Sequence, residues 1–190
     1  MRIISGIHKG KRLHAPKNLP VRPTTDMAKE SLFNILNNLY YFQDLKVLDL
    51  FSGTGNISFE FASRGTTSIT SVDGHFGCVK FINATAKQLD APINAIKSDV
   101  FKYLEKSSQK YDVIFADPPY DFEKEKFEKI IDSVFENELL EPDGILIVEH
   151  SKYTKLDDHK KLSYQKKYGG NMFSFFEYEG IDEDAEENED

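Results

Sequence analysis

From Lys46 onward, short runs rich in β-branched and aromatic residues alternate with stretches of helical period, and this alternation narrows the fold more than any other feature of the chain. "KVLDLF" (46–51), "SITSVD" (68–73), "INAIKS" (93–98), "YDVIFAD" (111–117) and "GILIVEH" (144–150) are expected strands. Between them, Phe76, Val79, Ile82, Ala86 and Leu89 fall on one helical face, and Phe127, Ile130, Ile131, Val134 and Phe135 on another. Strands that alternate with helices in this way form a mainly parallel sheet covered on both sides. The expected architecture is therefore α/β, doubly wound and Rossmann-like.

The two ends depart from that pattern. "RIISGIHKGKRL" alternates enough for a strand or hairpin, and "RPTTDMAKESLFNILNNL" predicts a helix capped at Thr24, Thr25 or Asp26, with Met27, Phe33 and Leu36 as core candidates. In "KLSYQKKYGGNMFSFFEY", Gly169, Gly170 and Asn171 separate two aromatic-rich runs, which predicts a hairpin that ends the sheet with an antiparallel strand. The expected organisation is a basic N-terminal extension over 1–25, one α/β domain over 26–181 and an acidic tail over 182–190.

Charge is segregated along the chain. The net charge is -8, but the last nine residues, "DEDAEENED", hold seven acids and no base. The tail has almost nothing apolar to bury and is expected to be disordered. Residues 1–24 contain Arg2, Lys9, Lys11, Arg12, Lys17 and Arg22 and no acid, as expected of an end that meets an anion. The lone Cys78 excludes a disulfide framework, and five scattered histidines give no metal-ligand spacing, so no metal is expected. The apolar runs are too short to cross a bilayer, and a soluble, cytoplasmic, monomeric protein is expected.

In open α/β sheets ligands bind beyond the carboxyl ends of the strands, and four segments share that destination. "DLFSGTGN" (49–56) is a glycine-bearing strand-to-helix loop in which Phe51, Gly53 and Gly55 stand next to a ligand and the glycines admit close backbone approach. No Gly-Lys-Ser/Thr follows, which excludes a P-loop, and Ser58 stands where a dinucleotide fingerprint has its third glycine. Asp49 would repel a pyrophosphate but suits a ligand with an ammonium and a sulfonium, as S-adenosylmethionine has. Asp73 can accept from both hydroxyls of a ribose. Asp99, in "KSDVF", lies beyond the next strand, where it can meet adenine or cap the following helix.

The fourth segment is "FADPPYD" (115–121). Two consecutive prolines end a strand abruptly and leave a rigid corner that starts with an acid. The exocyclic amine of a nucleobase is a poor nucleophile, because its lone pair is delocalised into the ring. The Asp117 carboxylate and the Pro118 carbonyl can accept its two hydrogens and favour a pyramidal nitrogen, with Pro118 and Pro119 holding both acceptors still. Tyr120 offers a face on which the base can stack.

With these residues placed, the chain resembles the RsmD-type 16S ribosomal RNA guanine-N2 methyltransferases, within the class I S-adenosylmethionine-dependent enzymes. The resemblance runs over almost all of residues 2–181 and is carried by "RIISGIHKGKRL", "RPTTDMAKESLFNIL", "VLDLFSGTGNISFEFASRG", "FADPPYD" and "YGGNMFSFFEY". It implies methylation of a guanine N2 in small-subunit ribosomal RNA, in an assembled particle. It also implies that Asp49, Gly53 and Gly55 line the cofactor, that Asp73 meets the ribose and Asp99 lies near adenine, and that residues 117–120 hold the base. Arg2, Lys9, Lys11, Arg12, Arg22 and Thr24 are the implied RNA contacts. Where the family commonly has a second acid after the second strand, this chain has His75.

Three other readings share parts of this pattern. An adenine-N6 DNA methyltransferase would use the same Asp-Pro-Pro-Tyr, but the chain shows no helix-turn-helix or separate target-recognition domain. A nicotinamide-dependent oxidoreductase would share the Asp73 contact and require nicotinamide binding. A non-catalytic RNA-binding module would leave the four aligned segments unused. Deleting residues 2–14 is expected to abolish RNA methylation and leave cofactor affinity intact.

Overall fold

The computed structural model describes residues 1–21 and 24–178, so Arg22 and the acidic tail lie outside the described residues. Its elements are α1 (Asp26–Leu39), β1 (Lys46–Leu50), α2 (Asn56–Ser63), β2 (Ser68–Asp73), α3 (Phe76–Leu89), β3 (Ile93–Lys97), α4 (Val100–Lys106), β4 (Tyr111–Ala116), α5 (Lys124–Glu136), β5 (Leu140–Ser151), β6 (Leu162–Tyr168) and β7 (Asn171–Phe176). They build one seven-stranded sheet in the order β3-β2-β1-β4-β5-β7-β6, parallel from β3 to β5, with β7 antiparallel to both of its neighbours. The α/β doubly wound expectation holds, including its antiparallel C-terminal strand.

The sheet is apolar on both faces because its strand residues alternate between two cores. Val47, Val113, Phe115, Ile145 and Ile147 join one core with α1, α2 and α3. Leu48, Ile114, Ala116, Leu146 and Val148 join the other with α4 and α5. In the first core, Phe33, Phe42 and Phe61 meet with ring centroids 4.7–5.9 Å apart, and the Arg64 guanidinium lies 4.7 Å over Phe33.

Three local expectations need correction. β5 begins at Leu140, four residues early, because Leu140 pairs with Tyr111 across a register shift and carries the turn-like Pro142, Asp143 and Gly144 into the strand. Phe76 opens α3 at its very first turn and stays 63% exposed. Met27 is 76% exposed, since the buried face of α1 runs through Ala28, Lys29, Leu32, Phe33 and Leu36. Thr25 supplies the cap of that helix, its side chain accepting from the Ala28 amide at 3.2 Å.

The N-terminal segment forms a tight loop closed by the Arg2–Arg12 bridge, and Ile3 and Leu13 from its two arms enter the first core. It is seated on α2. The Ile4 and Ser5 amides donate to Glu60 at 2.8 and 3.0 Å, and the Ile7 amide donates to the Ser63 carbonyl at 2.8 Å. Gly6 sits at φ +80°, where a Cβ would run into that same carbonyl, so only glycine permits the seating. Glu60 is fully buried and also meets Lys29 at 3.2 Å and Arg64 at 2.9 Å. Lys29, itself buried, donates to the Arg2 carbonyl at 2.7 Å. Burial pushes its ammonium pKa down, while Glu60 beside it opposes that shift. No helix among the described residues is long and apolar enough to cross a membrane.

Candidate active site

β1 pairs with β2 on one side and β4 on the other, so the chain reverses its winding direction beyond the carboxyl ends of β1 and β4. A crevice of about 370 Å³ opens there. It is lined by Asp49 and Phe51 to Thr54 from the glycine loop, Asp73 to His75 after β2, and Asp117 to Tyr120 after β4. Pro20, Val21 and Thr24 close it from the N-terminal side. Thus Asp49, Phe51, Gly53, Asp73, Asp117, Pro118, Pro119, Tyr120 and Thr24 are brought to one place.

The loop takes its shape from three left-handed residues: Phe51 at φ 56°, Gly53 at φ 53° and Gly55 at φ 76°. Phe51 holds this sparsely populated conformation without being glycine, a local strain of the kind that collects at functional sites. Its ring packs edge-on against Phe122 at 5.8 Å. Gly55 is the α2 N-cap and is not among the crevice-lining residues; a Cβ there would meet Ile82 at 3.0 Å and Phe59 at 3.1 Å.

Asp49 is buried at the crevice floor. Its Oδ2 accepts from the Ser58 hydroxyl at 2.5 Å and the Ser58 amide at 3.2 Å, and the Ser58 hydroxyl also meets that of Ser71 at 2.6 Å. Desolvation raises the carboxyl pKa to about 7, with Asp73 adding to the rise and Ser58 opposing it. Asp73 is held differently. Its Oδ2 accepts from the Gly53 amide at 2.8 Å and its Oδ1 from the His75 amide at 2.7 Å, which leaves a second lone pair on each oxygen.

Asp99 caps α4, its Oδ1 accepting from the Lys102 amide at 3.0 Å, and is not among the crevice-lining residues. Arg2, Lys9, Lys11 and Arg12 are exposed on the N-terminal loop, away from the crevice lining, and Arg2 pairs with Asp26 at 3.0 Å. Among the described residues, no group of three or more His, Cys, Asp or Glu side chains is placed to hold a metal ion.

Residues that sequence reasoning passed over surround this crevice. Ser58, read only as a missing glycine, anchors Asp49. The Asn56 amide nitrogen donates to the Thr24 carbonyl at 3.1 Å, and its oxygen accepts from Lys29 at 2.8 Å. Glu149, 1% exposed, accepts from Thr24 at 3.1 Å and from Asn171 at 2.7 Å. A signal was present in "ILIVEH": a Glu-His pair ends an otherwise apolar buried strand, where polar groups require partners.

The family model described as "Conserved hypothetical protein 95" matches residues 1–177. The "Putative rRNA methyltransferase YlbH" of Bacillus subtilis is 33% identical over 163 residues, 83% of this chain and 86% of its own. The "Ribosomal RNA small subunit methyltransferase D" of Haemophilus influenzae is 30% identical over 164 residues, 80% of this chain and 79% of its own. The solved structure of "Putative methyltransferase yhhF from Escherichia coli" superposes with a TM-score of 0.79 at 25% identity, over 95% of this chain and 98% of that one.

Proposed function

Because the chain belongs to the Conserved hypothetical protein 95 family, that of the RsmD-type ribosomal RNA methyltransferases, we propose that it transfers a methyl group from S-adenosylmethionine to the exocyclic N2 amine of a guanine in 16S ribosomal RNA. One observation carries the reading: the glycine loop, Asp73 and the Asp117–Tyr120 corner line a single crevice.

The residues present fit the cofactor. A buried carboxyl at Asp49, poised between its charge states, is matched by an ammonium that restores its negative form. Asp73 keeps the lone pairs that ribose hydroxyls require, and the crevice volume lies in the range of small-molecule sites. Asp99, after β3, is assigned to the adenine end, and Gly55 acts by shaping the start of α2. When bound, S-adenosylmethionine supplies an electrophilic methyl group on a positively charged sulfur.

The chain's own residues prepare the acceptor. Asp117 and the Pro118 carbonyl accept hydrogen bonds from the two amine hydrogens, Pro119 stiffens the corner, and the half-exposed Tyr120 ring gives the base a stacking face. Residues 1–25 dock the RNA in this reading. The substrate is the RNA within an assembled small-subunit particle, as the resemblance implies, and in this reading it is met by a monomeric cytoplasmic enzyme.

The seating of residues 2–13 on Glu60 makes a deletion of 2–14 a poor test of docking, since it also strips Ile3 and Leu13 from the core. The triple substitution Lys9→Ser, Lys11→Ser and Arg12→Ser alters only exposed side chains. It is expected to raise the KM for RNA about tenfold and flatten its salt dependence, with melting temperature and cofactor affinity unchanged. An unaltered salt slope would remove the docking role.

The target is tested by reacting the protein with methyl-labelled S-adenosylmethionine and either naked 16S RNA or small-subunit particles, then digesting the RNA to nucleosides. Label in N2-methylguanosine is expected. Label in a different nucleoside would replace the target, and label in neither RNA would refute the reading.

A further inference from the structure

Tyr120 follows two prolines on a loop, and its ring is 42% exposed. The hydroxyl at the far end of the ring is where a fixed donor can set the ring's attitude. The Asn171 Nδ2 holds it, donating to the Tyr120 hydroxyl at 2.8 Å. Asn171 is itself fixed: it opens β7, where its backbone pairs with Ser151 of β5 and Tyr168 of β6.

The same Nδ2 donates its other hydrogen to Glu149 Oε1 at 2.7 Å. With Glu149 Oε1 accepting here, the nitrogen of the Asn171 amide, and not its oxygen, faces both Glu149 and Tyr120. Burying a carboxylate is costly unless it is hydrogen-bonded, and the core packing of β5 does not require an acid at this position. Glu149 Oε2 accepts from the Thr24 hydroxyl at 3.1 Å. Thr24 in turn receives Asn56, which receives Lys29. The contacts run without a break from the Tyr120 ring to the residue pair that seats the N-terminal loop.

We propose that Asn171 and Glu149 are positioning residues that hold the Tyr120 ring in the attitude on which the target base stacks. The proposal rests on the role given to Tyr120 above. It assigns the Gly-Gly-Asn turn and the buried acid of β5 to base orientation, with Asn171 acting only through the tyrosine hydroxyl.

A double-mutant cycle with Asn171→Ala and Tyr120→Phe tests it. Each single variant is expected to lower kcat on RNA about tenfold with KM for RNA and cofactor affinity close to wild type; melting temperature should stay close to wild type in Tyr120→Phe and fall in Asn171→Ala, which also removes this donor from Glu149. The double variant is expected to be no slower than the slower of the two single variants, because both changes remove the same Asn171–Tyr120 hydrogen bond. Effects that multiply, or an Asn171→Ala variant at the wild-type rate, would overturn the proposal. Should alanine loosen the hairpin, Asn171→Ser serves as the second variant and carries the same expectations.

A readout independent of turnover separates this inference from the reading beneath it. In protein labelled with 3-fluorotyrosine, the Tyr120 fluorine resonance, assigned by its loss in Tyr120→Phe, should shift or broaden in Asn171→Ala. An unmoved resonance overturns the proposal whatever the substrate is. Failure of the wild type to label RNA would instead strike the proposed function.

Discussion

Replacing Asp117 with alanine is expected to slow methyl transfer about 10²- to 10³-fold while leaving the fold and the cofactor affinity in place. The magnitude is that of removing one preorganised hydrogen-bonding group from a transition state that develops charge. The backbone at this corner has a bond of its own: the Asp117 amide donates to the Leu50 carbonyl at 3.4 Å, which the substitution leaves. Asp117→Asn keeps one acceptor oxygen in nearly the same volume and should retain more activity than alanine. Turnover under saturating RNA and cofactor, with melting curves alongside, makes the comparison. A near wild-type rate for Asp117→Ala would end the amine-positioning role, and a collapse in melting temperature would recast the residue as a structural one.

Most of the sheet was legible because its strands are short, apolar and separated by clear punctuation. The predicted run 68–73 is β2 itself, and the Gly169–Gly170 turn separates β6 from β7 as expected. The placement of the crevice followed from topology alone, since loops beyond β1, β2 and β4 must converge where the winding reverses. What could not be read was pairing between distant polar residues. Lys29 sits in "TTDMAKE" as the one cation between Asp26 and Glu30, like a solvated helix residue, and only the tertiary structure reveals Glu60, 31 positions away, as its buried partner. Likewise Glu149 and Asn171 belong to separate strands, and nothing in their local sequence ties either one to Tyr120. The basic count at the N-terminus was legible as charge but not as packing, which depends on Gly6 and on the amides that reach α2.

Asp49 supplies the second large effect, read as a pH dependence. Its folded pKa of about 7 lies above the ordinary carboxyl value of 3.8, so between these two limits the native state holds a proton that the unfolded chain has released. The group therefore contributes stability that is fully present below pH 3.8 and is lost as pH rises through about 7, after which its contribution is level. A cationic ligand reverses the preference by favouring the ionised carboxylate. Affinity for S-adenosylmethionine should accordingly rise with pH, by up to about tenfold per unit below pH 7, and turn down as the ligand's own ammonium loses its proton at about pH 8. Asp49→Asn should abolish this slope, weaken binding about tenfold to a hundredfold at pH 8, and raise the melting temperature of the ligand-free protein there. Calorimetric titrations from pH 5.5 to 8.5 measure the slope, and repeating them in a His75→Ala background isolates Asp49, because His75 also lines the crevice. A wild-type affinity that is flat across this range would mean that Asp49 does not meet the ammonium, and the assignment of the crevice floor would have to move to Asp73.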